Sequence, residues 1–231
     1  MVAPQDFEAF LAGINQAFPS LSLTADDVTL VQRGVVPAAG LGQHVTLADR
    51  PLLREHRHDG VDGAISLIGV KYTTARALAE QAVTLATAQL GRHAPSTTAG
   101  SRLPGHQPDG TTPPVPGLDQ GAWDHLQRVY GDQAGRVASL VTASPFLGQR
   151  IIDRLPVVGA QIVEAARNEM ALTLEDIVLR RTGLGSAGYP GDAAILKVET
   201  IARDELGWNS ARVQEEVQGL KEFYLPVHVS A

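Results

Sequence analysis

The 231-residue sequence contains no cysteine, which excludes disulfides, thiolate metal ligands and cysteine nucleophiles. It has no apolar run approaching the roughly 18 residues that a membrane-spanning helix needs. It also lacks a basic excess: 19 Lys and Arg stand against 25 Asp and Glu, a net charge of −6. No broad electrostatic footprint for nucleic acid or anionic lipid arises from that balance. The opening residues, MVAPQDFEAFLAG, have no basic stretch leading into an apolar core, so no secretory leader is expected. With 44% apolar and 19% charged residues, the composition is that of a soluble globular protein, and a cytoplasmic location is the expectation.

What is present divides in two. Residues 94–117, APSTTAGSRLPGHQPDGTTPPVPG, are rich in Pro, Gly, Ser and Thr and have no apolar period, as in a linker or long loop. Upstream, Phe7, Phe10, Leu11, Ile14 and Phe18 recur at helical spacing until Pro19. The runs 27–36 and 63–69 are short, apolar and flanked by turn residues, which predicts two strands. A helix over 74–90 is predicted next, with Leu78, Val83, Leu85 and Leu90 toward its buried side and Gly91 at its C-terminal end.

Downstream the periodicity is helical throughout. Trp123, Leu126 and Tyr130 mark one helix; Val137, Leu140 and Val141 mark another; a third runs from about Val158 to Asn168. In TLEDIVLRRTG (173–183), Thr stands first, acids fill the first turn, arginines the last, and Gly comes after them, each suiting a cap or the helix dipole. Ile195, Val198 and Ala202, then Val213, Val217, Leu220 and Tyr224, mark two more. The expected fold class is α+β: residues 1–93 with a few strands and helices, a linker over 94–118, and a small all-helical domain over 119–231.

Four motifs are weighed against ordinary explanations. A Walker loop needs lysine directly after its second glycine, but Val70 separates Gly69 from Lys71. GLGSAG at 183–188 matches G-x-G-x-x-G, yet the dinucleotide fingerprint needs a strand before it and a helix opening within it. A capped helix precedes this one and Tyr189-Pro190-Gly191 comes next, so Gly183 reads as a helix end. In HRHD (56–59), the two histidines alternate in an extended or loop segment and face opposite ways, with no second ligand cluster to support them, so no metal site is assigned. GVKYTTAR (69–76) is a strand-to-helix turn, a geometry that aims backbone N–H groups at an anion. Its ordinary explanation is also complete: Gly69 makes the turn, the threonines cap the helix and Lys71 is solvated.

The stretch SLIGVKYTTARALAEQAV (66–83) resembles a segment of FAD-dependent glycerol-3-phosphate dehydrogenases and their oxidase relatives. FPSLSLTADDVTLVQRGVVP (18–37), LLREHRHDG (52–60), EAARNEMALTLEDIVLRRTGLG (164–185) and ELGWNSARVQEEV (205–217) are similar to other pieces of that family, in the same order. The resemblance covers nearly the whole chain but only the C-terminal part of the family's length. It implies a C-terminal portion of a flavin and substrate domain followed by a helical domain. The strand–GxGxxG–helix unit that grips FAD, and the catalytic base, belong to the family's upstream part, so no catalytic residue is assigned and the chain alone is expected to be inactive and to hold no flavin. A flavin-binding portion supplied by another chain is one expected partner, and the membrane surface another.

Carried over by position, the resemblance assigns Gly69, Thr73 and Thr74 to the flavin and Lys71 to the substrate, glycerol 3-phosphate, whose C2 hydride passes to flavin N5 and on to quinone or oxygen. Several positions depart from the family. Its phosphate-contacting arginine is Val36 here, another arginine falls on Asp49 with Arg50 one place later, the second glycine is Val70, and a tyrosine is Ala75. Arg50 is therefore the second expected substrate contact, with Arg33 and Arg54 as further candidates. A valine cannot make a bidentate guanidinium–phosphate contact, so a polyol or hydroxy acid without phosphate is an alternative substrate, and a non-catalytic helical interaction module is an alternative role.

Overall fold

Helix propensity, caps and apolar spacing place seven α-helices in the computed structural model, which describes residues 4–32, 34–39, 46–106 and 113–224. Two compact units are formed, one by Met1–Arg33 with Pro104–Ala231 and one by Gly34–Leu103. The boundary between Leu103 and Pro104 falls inside the Pro- and Gly-rich stretch 94–117.

In the helical unit, α3 (Gln120–Tyr130) starts where the Asp119 carboxylate accepts the Ala122 N–H at 2.9 Å. Its buried face is Ala122, Trp123, Leu126 and Tyr130. Helix α4 (Ala134–Ala143) answers with Ala134, Val137, Ala138 and Val141. Helix α5 (Gly159–Asn168) is buried on every side from Gly159 to Ala165, the pattern of a central helix. Helices α6 (Asp192–Leu206) and α7 (Ser210–Phe223) close a second cluster through Ile195, Val198, Ala202 and Leu220. The Asn209 side chain caps α7 by accepting the Arg212 N–H at 2.9 Å.

The segment 173–182 is helical and capped as its sequence implies. Thr173 Oγ1 accepts the Asp176 N–H at 3.0 Å, and Gly183 turns the chain away with φ +63°. Its winding departs from an ordinary α-helix: Asp176–Arg181 form a π-helix. Thr182 closes the wide turn, donating to the Ile177 carbonyl from its N–H at 3.0 Å and from its hydroxyl at 2.7 Å. Beyond it GLGSAG is a turn. A Cβ at Gly185 would stand 1.9 Å from Tyr224 Oη, whose hydroxyl donates to the Gly185 carbonyl at 2.8 Å. The glycine there serves close packing.

Helix α1 (Pro4–Ala17) matches the N-terminal period. The Asn15 amide closes the turn after it, donating to the Leu23 carbonyl at 2.8 Å and accepting the Leu23 N–H at 2.7 Å. Phe10 and Phe18 stay exposed.

The second unit is thin. Strands β1 (Leu52–Glu55) and β2 (Ile65–Ile68) pair antiparallel, with Leu53 opposite Leu67 and Arg54 opposite Ser66. The strand expected at 63–69 is thus β2, and its partner lies in LLRE, where the sequence predicts no strand. The strand expected at 27–36 does not form. Ala25–Asp27 are a 3-10 turn, and residues 28–32 and 34–36 have no ladder partner among the described residues. The nearest pairing is the isolated bridge Ala38–Leu47. An apolar run becomes a strand only where another strand receives its hydrogen bonds. Helix α2 (Ala75–Gln89) buries Leu78, but Val83 and Leu90 are exposed and not on a buried side. The hairpin is too narrow to cover them. The helix ends as its glycine predicts: Gly91 has φ +65°, its N–H reaches the Ala88 carbonyl at 3.0 Å, and that of Arg92 reaches Thr87 at 2.9 Å.

Among the described residues, one charge lies in the helical interior. Glu164 of α5 is 1% exposed and pairs with Arg136 of α4 at 2.5 Å, while Asn168 Nδ2 donates to its other oxygen at 2.9 Å. Glu169, half-buried at the end of α5, has its pKa raised, first by burial and then by the charge of Glu164. A carboxylate that ionises less readily folded than unfolded costs stability as pH rises from its unfolded value of 4.5 through its folded one. Glu169→Gln is therefore expected to flatten the fall of stability over that window, read by chemical denaturation at a series of pH values. An unchanged profile would place the carboxylate in water.

The independently stable part is proposed to be 119–231. Limited proteolysis is expected to cut within 94–117 and leave a helical fragment of that extent. A protected N-terminal fragment in its place would reverse the assignment.

Candidate functional site

The loop joining β1 to β2 contains HRHD, and it is more ordered than a solvated loop. His56 Nδ1 lies 2.7 Å from Asp59 Oδ2 and Nε2 lies 2.7 Å from Ser66 Oγ. Arg54 reaches the other Asp59 oxygen at 2.6 Å. Hydrogen bonds from Arg54 first, then His56, lower the Asp59 pKa. Arg57–Asp59 form a 3-10 turn that leaves through Gly60 at φ +83°. His56 is a clasp across the hairpin, which the sequence does not reveal because its partner Ser66 is ten residues away. Among the described residues, no group of three or more His, Asp or Glu is placed to hold a metal.

After β2, Gly69, Val70 and Lys71 lead into a 3-10 turn, Tyr72–Thr74, and then α2. The threonines do not cap the helix as expected. Thr74 Oγ1 donates to the Lys71 carbonyl at 3.0 Å, and the Thr74 N–H donates to the same oxygen at 3.2 Å. The Ala75 N–H goes to the Tyr72 carbonyl. Two of the N–H groups at this helix start are thus already satisfied. Thr73 is exposed, and its hydroxyl makes no hydrogen bond among the described residues.

A groove of about 350 Å³ opens beside this turn, lined by Val36, Pro37, Leu67, Gly69, Lys71 and Leu78 among others. Among the described residues, Lys71 is the one charged side chain on its lining. The lining is mostly apolar, and Lys71 stands exposed at its rim. Position 36 and the Gly69–Lys71 turn, more than thirty residues apart, share this groove. Thr73, Thr74 and Arg50 do not line it. Arg54 is engaged by Asp59, and Arg33 lies outside the described residues.

Gly69 has no packing reason of its own. A Cβ there would meet only Leu78 Cδ2, at an ordinary 3.8 Å. The space in front of its backbone is open, which fits the close approach of a flat ring system.

The C-terminal domain of alpha-glycerophosphate oxidase, as a family model, matches residues 63–213. A glycerol-3-phosphate dehydrogenase of Synechocystis sp. is 32% identical over 239 aligned positions, covering 94% of this chain and 41% of that protein. The mitochondrial glycerol-3-phosphate dehydrogenase of Mus musculus is 30% identical over 211 positions, 84% of this chain and 29% of that protein. Its Homo sapiens counterpart is 28% identical over the same extent. The chain thus spans less than half the length of these relatives. No solved structure matches it.

Two glycines separate room from packing. Gly69→Ala is expected to leave stability within about 0.5 kcal/mol. Gly185→Ala is expected to cost about 1–3 kcal/mol by overpacking against Tyr224. Thermal denaturation of both variants is the check, and equal costs would contradict the open space at Gly69.

Proposed function

Because the chain belongs to the family of the alpha-glycerophosphate oxidase C-terminal domain, we propose that it forms the C-terminal part of an FAD-dependent oxidoreductase acting on glycerol 3-phosphate. The observation that carries this reading is the groove in which Gly69 and Lys71 meet position 36. Gly69 would lie against the flavin with the exposed Thr73 hydroxyl beside it, and Thr74, whose hydroxyl donates to the Lys71 carbonyl, would hold the turn in place. FAD, when bound, supplies the acceptor for the C2 hydride, with quinone or oxygen as the final electron acceptor.

This chain's own contribution is binding and orientation. Lys71 has no carboxylate within ion-pair distance among the described residues, so its ammonium is available to a phosphate dianion. One such charged hydrogen bond is worth about 1.5–3 kcal/mol. Val36, Pro37 and Leu67 offer apolar contact to the rest of the ligand. The dinucleotide-binding unit and the base that takes the hydroxyl proton belong, in this reading, to the part of the family's length that the chain does not span. The location that goes with it is the cytoplasm, with contact at the inner-membrane surface. No helix among the described residues is long and apolar enough to cross a membrane.

Val36 favours a second reading. It is 59% exposed on the groove, at the position where the resemblance implies a phosphate-contacting arginine, and its apolar side chain would leave a ligand without phosphate unpenalised.

The purified chain alone is expected to carry no flavin, since one helix start contributes only a few hydrogen bonds of about 1 kcal/mol net each. Stoichiometric flavin absorbance after gel filtration would contradict this. In the enzyme completed with its flavin-binding portion, Val36→Arg is expected to lower KM for glycerol 3-phosphate about ten- to a hundredfold and leave KM for glycerol unchanged. A parent that already binds glycerol 3-phosphate tightly, and loses it on Arg50→Ala, would show that Arg50 has taken the role.

A further inference from the structure

By composition the stretch 94–117 is one free linker, but its described part is fastened at two places. On the near side, residues 98–100 form a turn. The Gly100 N–H donates to the Thr97 carbonyl at 3.1 Å, and the Ser101 hydroxyl donates to the same oxygen at 2.9 Å. Arg76, in the first turn of α2, donates from Nη1 to Thr98 Oγ1 at 3.2 Å. This arm is held by the unit Gly34–Leu103, to which it belongs.

On the far side the chain is held by the helical unit. The Gly105 N–H donates to Asp132 Oδ1 at 2.8 Å, and the Asp132 N–H donates back to the His106 carbonyl at 2.9 Å. His106 Nδ1 lies 3.1 Å from Asp132 Oδ2. Gly131, in the 3-10 turn between α3 and α4, makes the seat. A Cβ there would stand 2.2 Å from the Gly105 carbonyl oxygen and 2.3 Å from that of His106. Any side chain at this position would push the segment off. Pro104 is exposed, whereas Gly105 and His106 are half-buried, so cover begins where the contacts begin.

Between the two fastenings lie Arg102, Leu103 and Pro104, all exposed. The boundary between the units falls here, after Leu103. The chain also passes between the units at Arg33–Gly34, and nothing stands within 4 Å of a Cβ at Gly34.

We propose that Gly105–His106 is a strap clamped on the turn between α3 and α4, and that it makes Arg102–Pro104 a short joint between the two units in place of a long tether. A flexible chain as long as 94–117 would span roughly 25–30 Å r.m.s.. The joint, fully extended, reaches about 10 Å. Hinges are a few loop residues that absorb the change in backbone angles while the elements on either side keep their shape. Releasing the strap would lengthen the joint past His106. The inference does not depend on which ligand the groove takes.

The test is backbone NMR relaxation on the full chain. Order parameters of about 0.85 are expected at residues 98–100 and at Gly105 and His106, with values below about 0.6 at Arg102 and Leu103. Asp132→Ala removes the acceptor of the Gly105 N–H and is expected to bring Gly105 and His106 down to the level of Leu103. Asp132→Asn keeps an oxygen in that place and is expected to leave them rigid. Amides of α3 and α5 keep their order in both variants, which separates release of the strap from unfolding of the helical unit. Low order at Gly105 and His106 in the parent chain overturns the proposal, as does high order continuing through Arg102 and Leu103. Rigid Gly105 and His106 in Asp132→Ala also overturn it, and so does equal loss of order in Asp132→Ala and Asp132→Asn. The parent profile decides by itself where a variant does not fold.

Discussion

Helix α5 is where both hydrophobic clusters of the helical unit meet. Val158 and Ala160 belong to one cluster and Ile162, Val163 and Ala165 to the other. A helix covered on all sides has no solvent face on which to set its polar residues, so each one must find a partner inside. Gln161 does so by accepting the Val158 N–H at 3.2 Å, and Glu164 through Arg136 and Asn168. Removing one partner of such a pair leaves a buried charge uncompensated, which costs far more than the pair contributes. The positions of α4 and of the end of α5 answer that requirement.

The sheet-bearing unit presents the opposite situation. Its turn, hairpin and helix are well formed locally, with a clasp at His56 and a closed helix end at Gly91. What it lacks is area to pack against. The groove and the exposed apolar residues are two descriptions of one fact, and the ligand reading draws on it.

The helical half is legible in the sequence because its helices bury a continuous stripe against one another, and the stripe is the signal. The same reasoning fails at Val83 and Leu90, where apolar spacing is present and the covering surface is not. Residues 27–36 fail for a related cause, since a strand's existence depends on a partner that periodicity cannot see. The π-helix over Asp176–Arg181 gives no sign beyond its caps, because a wide turn differs from an α-turn in which carbonyl is reached and not in composition. At the candidate site, Gly69 and Lys71 stand out in the sequence. The redirection of the Thr74 hydroxyl to Lys71, and the meeting of Val36 with both groove residues, required coordinates.

The wide turn also bears on how this chain tolerates changes in length. A π-helical stretch holds one residue more than an α-helix of the same rise needs, and so takes up an insertion inside the ladder without expelling a loop. Here adjacent Ile177 and Val178 both face the core, while Arg180 turns outward to Glu175 and Asp176. The Thr173 start and the Gly183 exit are fixed by their own hydrogen bonds and backbone angles. Between those two anchors, a gain or loss of one residue among homologous chains would appear as a change of winding and leave the neighbouring helices in register.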